Sequence, residues 1–203
     1  MADYRDDAWQ LEIVSDLTDI DHDMAVIDIP IGLPENGIRA CDRAARTTLA
    51  PERHYSVFSC PVRPAVYAGS YKQACDINEQ RTGNRISKQA WNICPKIKEA
   101  DKYDGKMNLI ESHPEVLFHS VDQEAVKHSK MTEKGRNQRK SILAEFGSID
   151  DLEDRMASME CSLDDCLDAM ILAVAADRRT MPLSTADISG EETGQIHVFS
   201  ERR

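Results

Sequence analysis

Two short apolar runs, each closed by a carboxylate, constrain this chain most. Ala25 to Ile29 reads Ala-Val-Ile-Asp-Ile, and Met107 to Ser112 reads Met-Asn-Leu-Ile-Glu-Ser. Both are too short for a buried helix and rich in residues that suit a buried strand. Pro30 and Pro34-Glu-Asn-Gly37 end the first one in a turn. The segments between them have helical patterning. Parallel strands need a long crossover, usually helical, so the spacing predicts an α/β fold in which the two runs are parallel neighbours. The helices between Ile38 and Tyr103 form the crossover.

The other elements follow from periodicity and breakers. Trp9 to Val14 alternates like a strand, and Ser15 to Asp23 is a helical turn with a loop. Helices are expected over Ile38 to Leu49, Ala65 to Gln80, Ser87 to Tyr103 (restarted at Pro95) and Glu133 to Phe146. Arg53 to Pro64 reads as a loop. The longest helix is expected from Asp150 to Ala176, with Leu152, Met156, Met159, Leu163, Leu167, Met170 and Val174 near helical spacing. Its second half is apolar nearly all round, so that end should be buried. Ile196 to Phe199 forms a final strand. The 203 residues fit a single domain, with the stretch from about residue 38 to 106 as a helical insertion.

Charge narrows the function classes. Twenty-five basic against 36 acidic residues give a net charge of -11, which disfavours nonspecific attraction to nucleic acid or to an anionic membrane. No apolar run approaches the roughly 20 residues of a spanning helix, and the acidic start lacks the apolar core of a signal peptide. A cytoplasmic protein is expected, without membrane contact. None of the six cysteines forms a Cys-x-x-Cys pair, so reduced thiols are expected rather than a structural zinc site.

Candidate chemistry lies in acids set within apolar surroundings. A charge in an apolar run is costly unless compensated, and converging carboxylates make an oxygen-rich site for a hard cation. Asp28 stands at the end of its strand, where open α/β sheets build sites; capping the turn before Pro30 is the structural alternative. Glu111 ends the second strand, with His113 and Glu115 as supporting groups. Asp165 and Asp168 are neighbours on one helix. The alternatives are a solvated helix charge for Asp165 and pairing with a buried Arg for Asp168. Lys127 to Lys140 reverses the local sign, and Lys134, Arg136 and Arg139 could hold phosphates; a solvated face paired with the acidic helix that follows is the alternative. Arg39 and Arg43, one turn apart, line the same cleft or form a surface network with Asp42. No phosphate-cradling glycine loop and no Gly-x-Ser-x-Gly occur.

Several ordered blocks resemble a family of uncharacterised proteins (domain of unknown function 429) predicted to be nucleases with a ribonuclease H-like fold. They are Ile27-Asp28-Ile29-Pro30-Ile31-Gly32-Leu33, the segment from Arg39 to Arg46, Ser56-Val57-Phe58 and Gln89 to Ile97 with Glu99 and Asp101. Glu111-Ser-His113-Pro114-Glu115, Lys134-Gly135-Arg136 with Arg139, and Asp164-Asp165-Cys-Leu-Asp168-Ala169 complete the set. The last also looks like the final carboxylate pair of junction resolvases and phage terminase nucleases. The resemblance implies a mixed sheet flanked by helices and two-metal hydrolysis of a phosphodiester with Mg²⁺ or Mn²⁺. It implies Asp28, Glu111, Asp165 and Asp168 as ligands, and nucleic acid held by the basic stretch.

Members open with a glycine-rich strand carrying Asp-Gly, followed by a hairpin. Here the only Asp-Gly is Asp104-Gly105. Either the chain is shortened at its start or the family's first carboxylate is absent; if the first strands are missing, they leave a slot beside the Asp28 strand that the chain could fill as a homodimer. A noncatalytic binding or scaffold protein and a phosphohydrolase of a small metabolite are the rival functions; the charge of -11 suits the latter.

Overall fold

The computed structural model describes all residues except 6–7, 123–126, 158, 160, 179, 187–189, 191–192 and 201–203. The strands are β1 (Ala2–Arg5), β2 (Ala8–Leu11), β3 (Ala25–Ile27), β4 (Leu109–Glu111), β5 (Thr180–Pro182) and β6 (His197–Phe199). The helices are α1 (Ala40–Thr48), α2 (Arg63–Val66), α3 (Tyr71–Thr82), α4 (Lys88–Asn92), α5 (Cys94–Tyr103), α6 (Pro114–Val121), α7 (Glu133–Ala144), α8 (Leu152–Ala157) and α9 (Leu163–Asp177). The fold is a mixed α/β one, in which short paired strands are set among helices.

The two apolar runs pair as expected. β3 and β4 are parallel, with Ala25 opposite Leu109 and Ile27 opposite Glu111, and α1 to α5 form the crossover. Ser112 bridges His197 in parallel, which carries the pairing on to β6 and its antiparallel partner β5. β1 and β2 form an antiparallel hairpin. β1 was not foreseen: four residues beginning Ala-Asp carry little strand signal, and pairing with the Trp9 strand supplies what local propensity lacks.

α9 is the central helix. Both β1 and β3 pack on it, as do α6 and α7. Every residue from Met170 to Ala175 is buried, which accounts for its all-round apolar sequence. The expected single helix over Asp150 to Ala176 is instead two, and it crosses residues 158 and 160, outside the described residues. The Ser162 side chain accepts from the Asp165 amide at 3.1 Å, so Ser-Leu-Asp-Asp starts a new helix where hydrophobic spacing alone would continue the old one. α6 was also missed; Pro114 at its first turn and Val116, Leu117 and Phe118, all buried, are its signals. The Ala65 to Gln80 segment divides into α2 and α3, and Pro95 sits in the first turn of α5.

The main core joins α9 to α6, α7 and the β1–β2 hairpin, including Trp9, Phe118, Leu143, Leu167 and Ile171. The crossover helices have two smaller cores of their own, one around Val62, Ala74 and Cys75 and one around Leu33, Val66 and Ile97. All six cysteines are unbridged. Among the described residues, no helix is long and apolar enough to cross a membrane.

Candidate functional site

Asp28 follows the last residue of β3, at the carboxyl end of the parallel pair. It is open to solvent yet walled in on its other sides, because it lines two cavities at once. One is a cleft of about 780 Å³ that also touches Asp165. The other, of about 20 Å³, is shared with Glu111 and His113, and has room for about one water-sized body. Crowding by these walls pushes the Asp28 carboxyl well above the usual carboxylate range, and the charge of Asp168 pushes it the same way. Glu111 and Glu115 add smaller contributions, while Lys130 opposes them.

Asp168 comes from the middle of α9 and keeps 16% of its side chain exposed. Its Oδ2 accepts from the Lys130 Nζ at 2.5 Å. Burial raises the Asp168 carboxyl pKa, and Lys130 holds against it. Burial likewise disfavours the Lys130 charge, but Asp168 outweighs that and keeps the ammonium above its ordinary range. The loop bearing Lys130 is pinned to α7 by close packing. A Cβ at Gly135 would lie 2.1 Å from the Ser129 carbonyl oxygen, so only glycine allows that approach.

The remaining candidates are engaged elsewhere. Glu111 is buried and ion-paired to the Arg39 guanidinium, with both contacts at 2.7 Å, and its Oε2 also accepts from the Ile31 amide at 2.6 Å. Arg39 itself is 1% exposed and donates to Asp42 Oδ1 through Nε and Nη2. Asp165 is exposed and accepts from the Ser162 hydroxyl at 2.8 Å, as part of the α9 cap. Arg139 is buried and grips both oxygens of Glu115 at 2.7 Å, and Arg53 joins them at 3.2 Å. Arg43 and Lys134 are exposed, and Arg136 donates to the Met131 carbonyl at 3.2 Å. The structure thus pairs Asp168 with Lys130, sets both near enough to Asp28 for their charges to act on it, and places Glu111 across the small cavity from Asp28. It holds Arg39 and Arg139 in buried ion pairs instead of presenting them to the cleft.

Burial lowers the His113 pKa and favours its neutral ring, while the Glu115 and Asp168 charges and a Ser56 backbone hydrogen bond oppose it. The Glu115 amide donates to its Nδ1 at 3.2 Å, which leaves the proton of the neutral ring on Nε2. Sequence reasoning gave it no catalytic part. Lys130 is the site residue that sequence reasoning did not single out. It stood within a run of basic residues, and only the distance to Asp168 distinguishes it.

The donors present fit one divalent cation better than two. Mg²⁺ is commonly held by one or two carboxylates with waters and substrate phosphate oxygens, which Asp28 and Asp168 can supply. Among the described residues, no three His, Cys, Asp or Glu side chains are gathered as a ligand set. Glu111 would first have to leave Arg39.

The raised Asp28 carboxyl makes stability depend on pH. The folded chain holds that proton more tightly than the unfolded one, whose carboxyl titrates near ~3.9. This contribution is complete below the unfolded value and is lost as pH rises through the folded one. Without divalent metal, Asp28→Asn is expected to unfold at higher urea than the parent at about pH 8 and to match it at about pH 4. Equal midpoints at both pH values would show that Asp28 carries no penalty.

The family profile described as "Protein of unknown function (DUF429)" matches residues 1–183. Neither a curated protein nor a solved structure matches the chain. With most of its length matched, the chain belongs to that family.

Proposed function

Starting from that membership, we propose that this chain is a divalent-metal-dependent phosphodiesterase, a nuclease with a ribonuclease H-like arrangement. The observation that supports the reading is that the charge of Asp168, ion-paired to the Lys130 ammonium, acts on Asp28 where Asp28 follows the carboxyl end of a parallel strand pair. Asp28 and Asp168 would hold Mg²⁺ or Mn²⁺, which when bound supplies an activated water and charge neutralisation for the leaving oxygen. Lys130 stays protonated and offers a donor to a nonbridging phosphate oxygen. The Arg39–Glu111–Asp42 group fixes the start of α1 against the end of β4 and so holds the loop after Asp28 in place. Lys134 and Arg43 are exposed cations for the more distant phosphates.

A small phosphoester is the second reading, favoured by the charge of -11, which opposes a long polyanion. A fluorescent oligonucleotide and p-nitrophenyl phosphate, each with Mn²⁺ or with chelator, separate the two. Metal-dependent cleavage of the oligonucleotide supports the nuclease. Turnover of the small ester alone supports the second reading. Inertness toward both, with no metal-induced rise in melting temperature, would leave a noncatalytic binding protein.

A further inference from the structure

Two thiols face each other at the start of α9. The Sγ atoms of Cys161 and Cys166 lie 3.0 Å apart. The remaining cysteines are turned to oxygens instead. Cys41 meets Asp42 Oδ1 and the Thr193 carbonyl, Cys60 the Pro61 carbonyl, Cys75 the Ile86 carbonyl and Cys94 the Ala90 carbonyl. Each of those is buried, and so is Cys166 at 5% exposure. Cys161 is the cysteine that keeps part of its surface in solvent. A reagent in solution therefore reaches Cys161 first, and finds Cys166 directly behind it.

The pair brackets a helix cap. Ser162 is the N-cap of α9, and its hydroxyl accepts from the Asp165 amide at 3.1 Å and donates to the Asp165 carboxylate at 2.8 Å. Cys161 precedes that cap, and Cys166 closes the first turn. These are the two positions at which an apolar contact staples the incoming chain to a helix, and both side chains pack with the main core. A covalent bond between them would fix the turn from which Asp168 follows. The spacing is not the Cys-x-x-Cys of a redox motif, so the sequence gives no sign of the pair.

We propose that Cys161 and Cys166 are a thiol-modification site, which a low-molecular-weight disulfide such as glutathione disulfide oxidises to an intramolecular disulfide that locks the start of α9. Cys161 gives up its proton and attacks one sulfur of the reagent. The reagent's S–S bond breaks, and its other half leaves as a thiolate that takes up that proton. Cys166 then gives up its proton and attacks Cys161 Sγ, expelling the second half, which leaves protonated in the same way. The two protein thiols lose two electrons, and the reagent's disulfide is reduced to two thiols. Burial, with the Cys161 contact and the Asp165 charge, pushes the Cys166 thiol up to about 12, against the Met1 ammonium. The second step is slow for that reason, and the contact between the sulfurs favours it by proximity. This goes beyond the proposed activity and does not rest on it.

The test incubates the reduced full chain with glutathione disulfide for hours, the timescale of uncatalysed disulfide exchange. The sample is quenched with acid, alkylated after unfolding, weighed and mapped by peptide. Two fewer alkylated cysteines than in the reduced chain, no retained glutathione and a Cys161–Cys166 linkage, all reversed by dithiothreitol, are the expected result. Cys166→Ala should stop at the mixed disulfide, with glutathione on Cys161, and Cys161→Ser should stay unmodified. The oxidised parent should melt roughly 4–8 °C above the reduced one, while Cys161→Ser melts alike in both buffers. If Cys166→Ala does not fold, Cys161→Ser and the peptide map of the parent decide. A full set of free thiols, glutathione retained by the parent, a linkage through any other cysteine, or a melting temperature unchanged or lowered by the bond would overturn the proposal. The contact would then be an apolar staple alone.

Discussion

Replacing Arg39 with methionine is expected to cost about 3–5 kcal/mol of folding stability, as for other buried pairs that lose one partner. The guanidinium is the sole described cation between two buried carboxylates, Glu111 and Asp42. Methionine fills similar space but leaves both acids without their counter-charge. The second oxygen of Asp42 accepts from the Cys60 amide at 2.7 Å, so neither carboxylate can turn to solvent without breaking another bond. Nor can the site relax inward: a Cβ at Gly194 would lie 2.7 Å from Arg39 Nη1, which shows how closely the chain near residue 194 covers it. Typical domains have roughly 5–15 kcal/mol in all, so this one change would consume a large share. Arg39→Lys should recover little, because an ammonium cannot meet both carboxylates as the fork does. Adding Glu111→Gln and Asp42→Asn to Arg39→Met should restore part of the loss. Urea unfolding of the three variants and the parent measures this, and a loss below about 1 kcal/mol for Arg39→Met would show the group to be structurally idle.

The fold was legible where pattern and breakers agreed. Ala25–Ile27 and Leu109–Glu111 declared themselves by being short, apolar and bounded, and their parallel pairing followed from the helical sequence between them. Length and boundaries were lost where a capping residue competed with periodicity. Ser162 divides what hydrophobic spacing reads as continuous, and Pro114 opens a helix inside a segment whose His and Glu suggested site chemistry instead. The site was legible as a set of acids and illegible as a set of partners. Asp28, Glu111, Asp165 and Asp168 look alike in sequence, each a carboxylate beside apolar residues. What separates them is a cation at a distance in the chain. Arg39 lies 72 residues from Glu111, and Lys130 lies 38 from Asp168. No local pattern carries that information, and the same holds for Arg139 and Glu115, 24 apart.

That sorting by partners decides what Asp168 and Lys130 should each do. With Mg²⁺ or Mn²⁺ at about 100 times its Kd, mass action adds roughly 2.7 kcal/mol. For a chain of this size, that corresponds to a rise of about 5–10 °C in melting temperature. Asp168→Asn should remove most of the rise and lower metal-dependent cleavage by about 100-fold or more, at or beyond the loss seen when a ligand's supporting group is removed. The amide can still accept from Lys130, whose side chain is 34% exposed, so the variant should fold without metal. Lys130→Met should act in the opposite sense on binding. On the proposed function the ammonium occupies the carboxylate that the metal would require, so its removal should enlarge the metal-induced rise while lowering turnover through loss of a phosphate donor. A scaffold role for the pair predicts destabilisation by both substitutions and no change in metal response from either. Calorimetry with and without Mn²⁺ on the two single variants and their double distinguishes the cases. A metal-induced rise that survives intact in Asp168→Asn would remove Asp168 from the site and leave Asp28 without its partner.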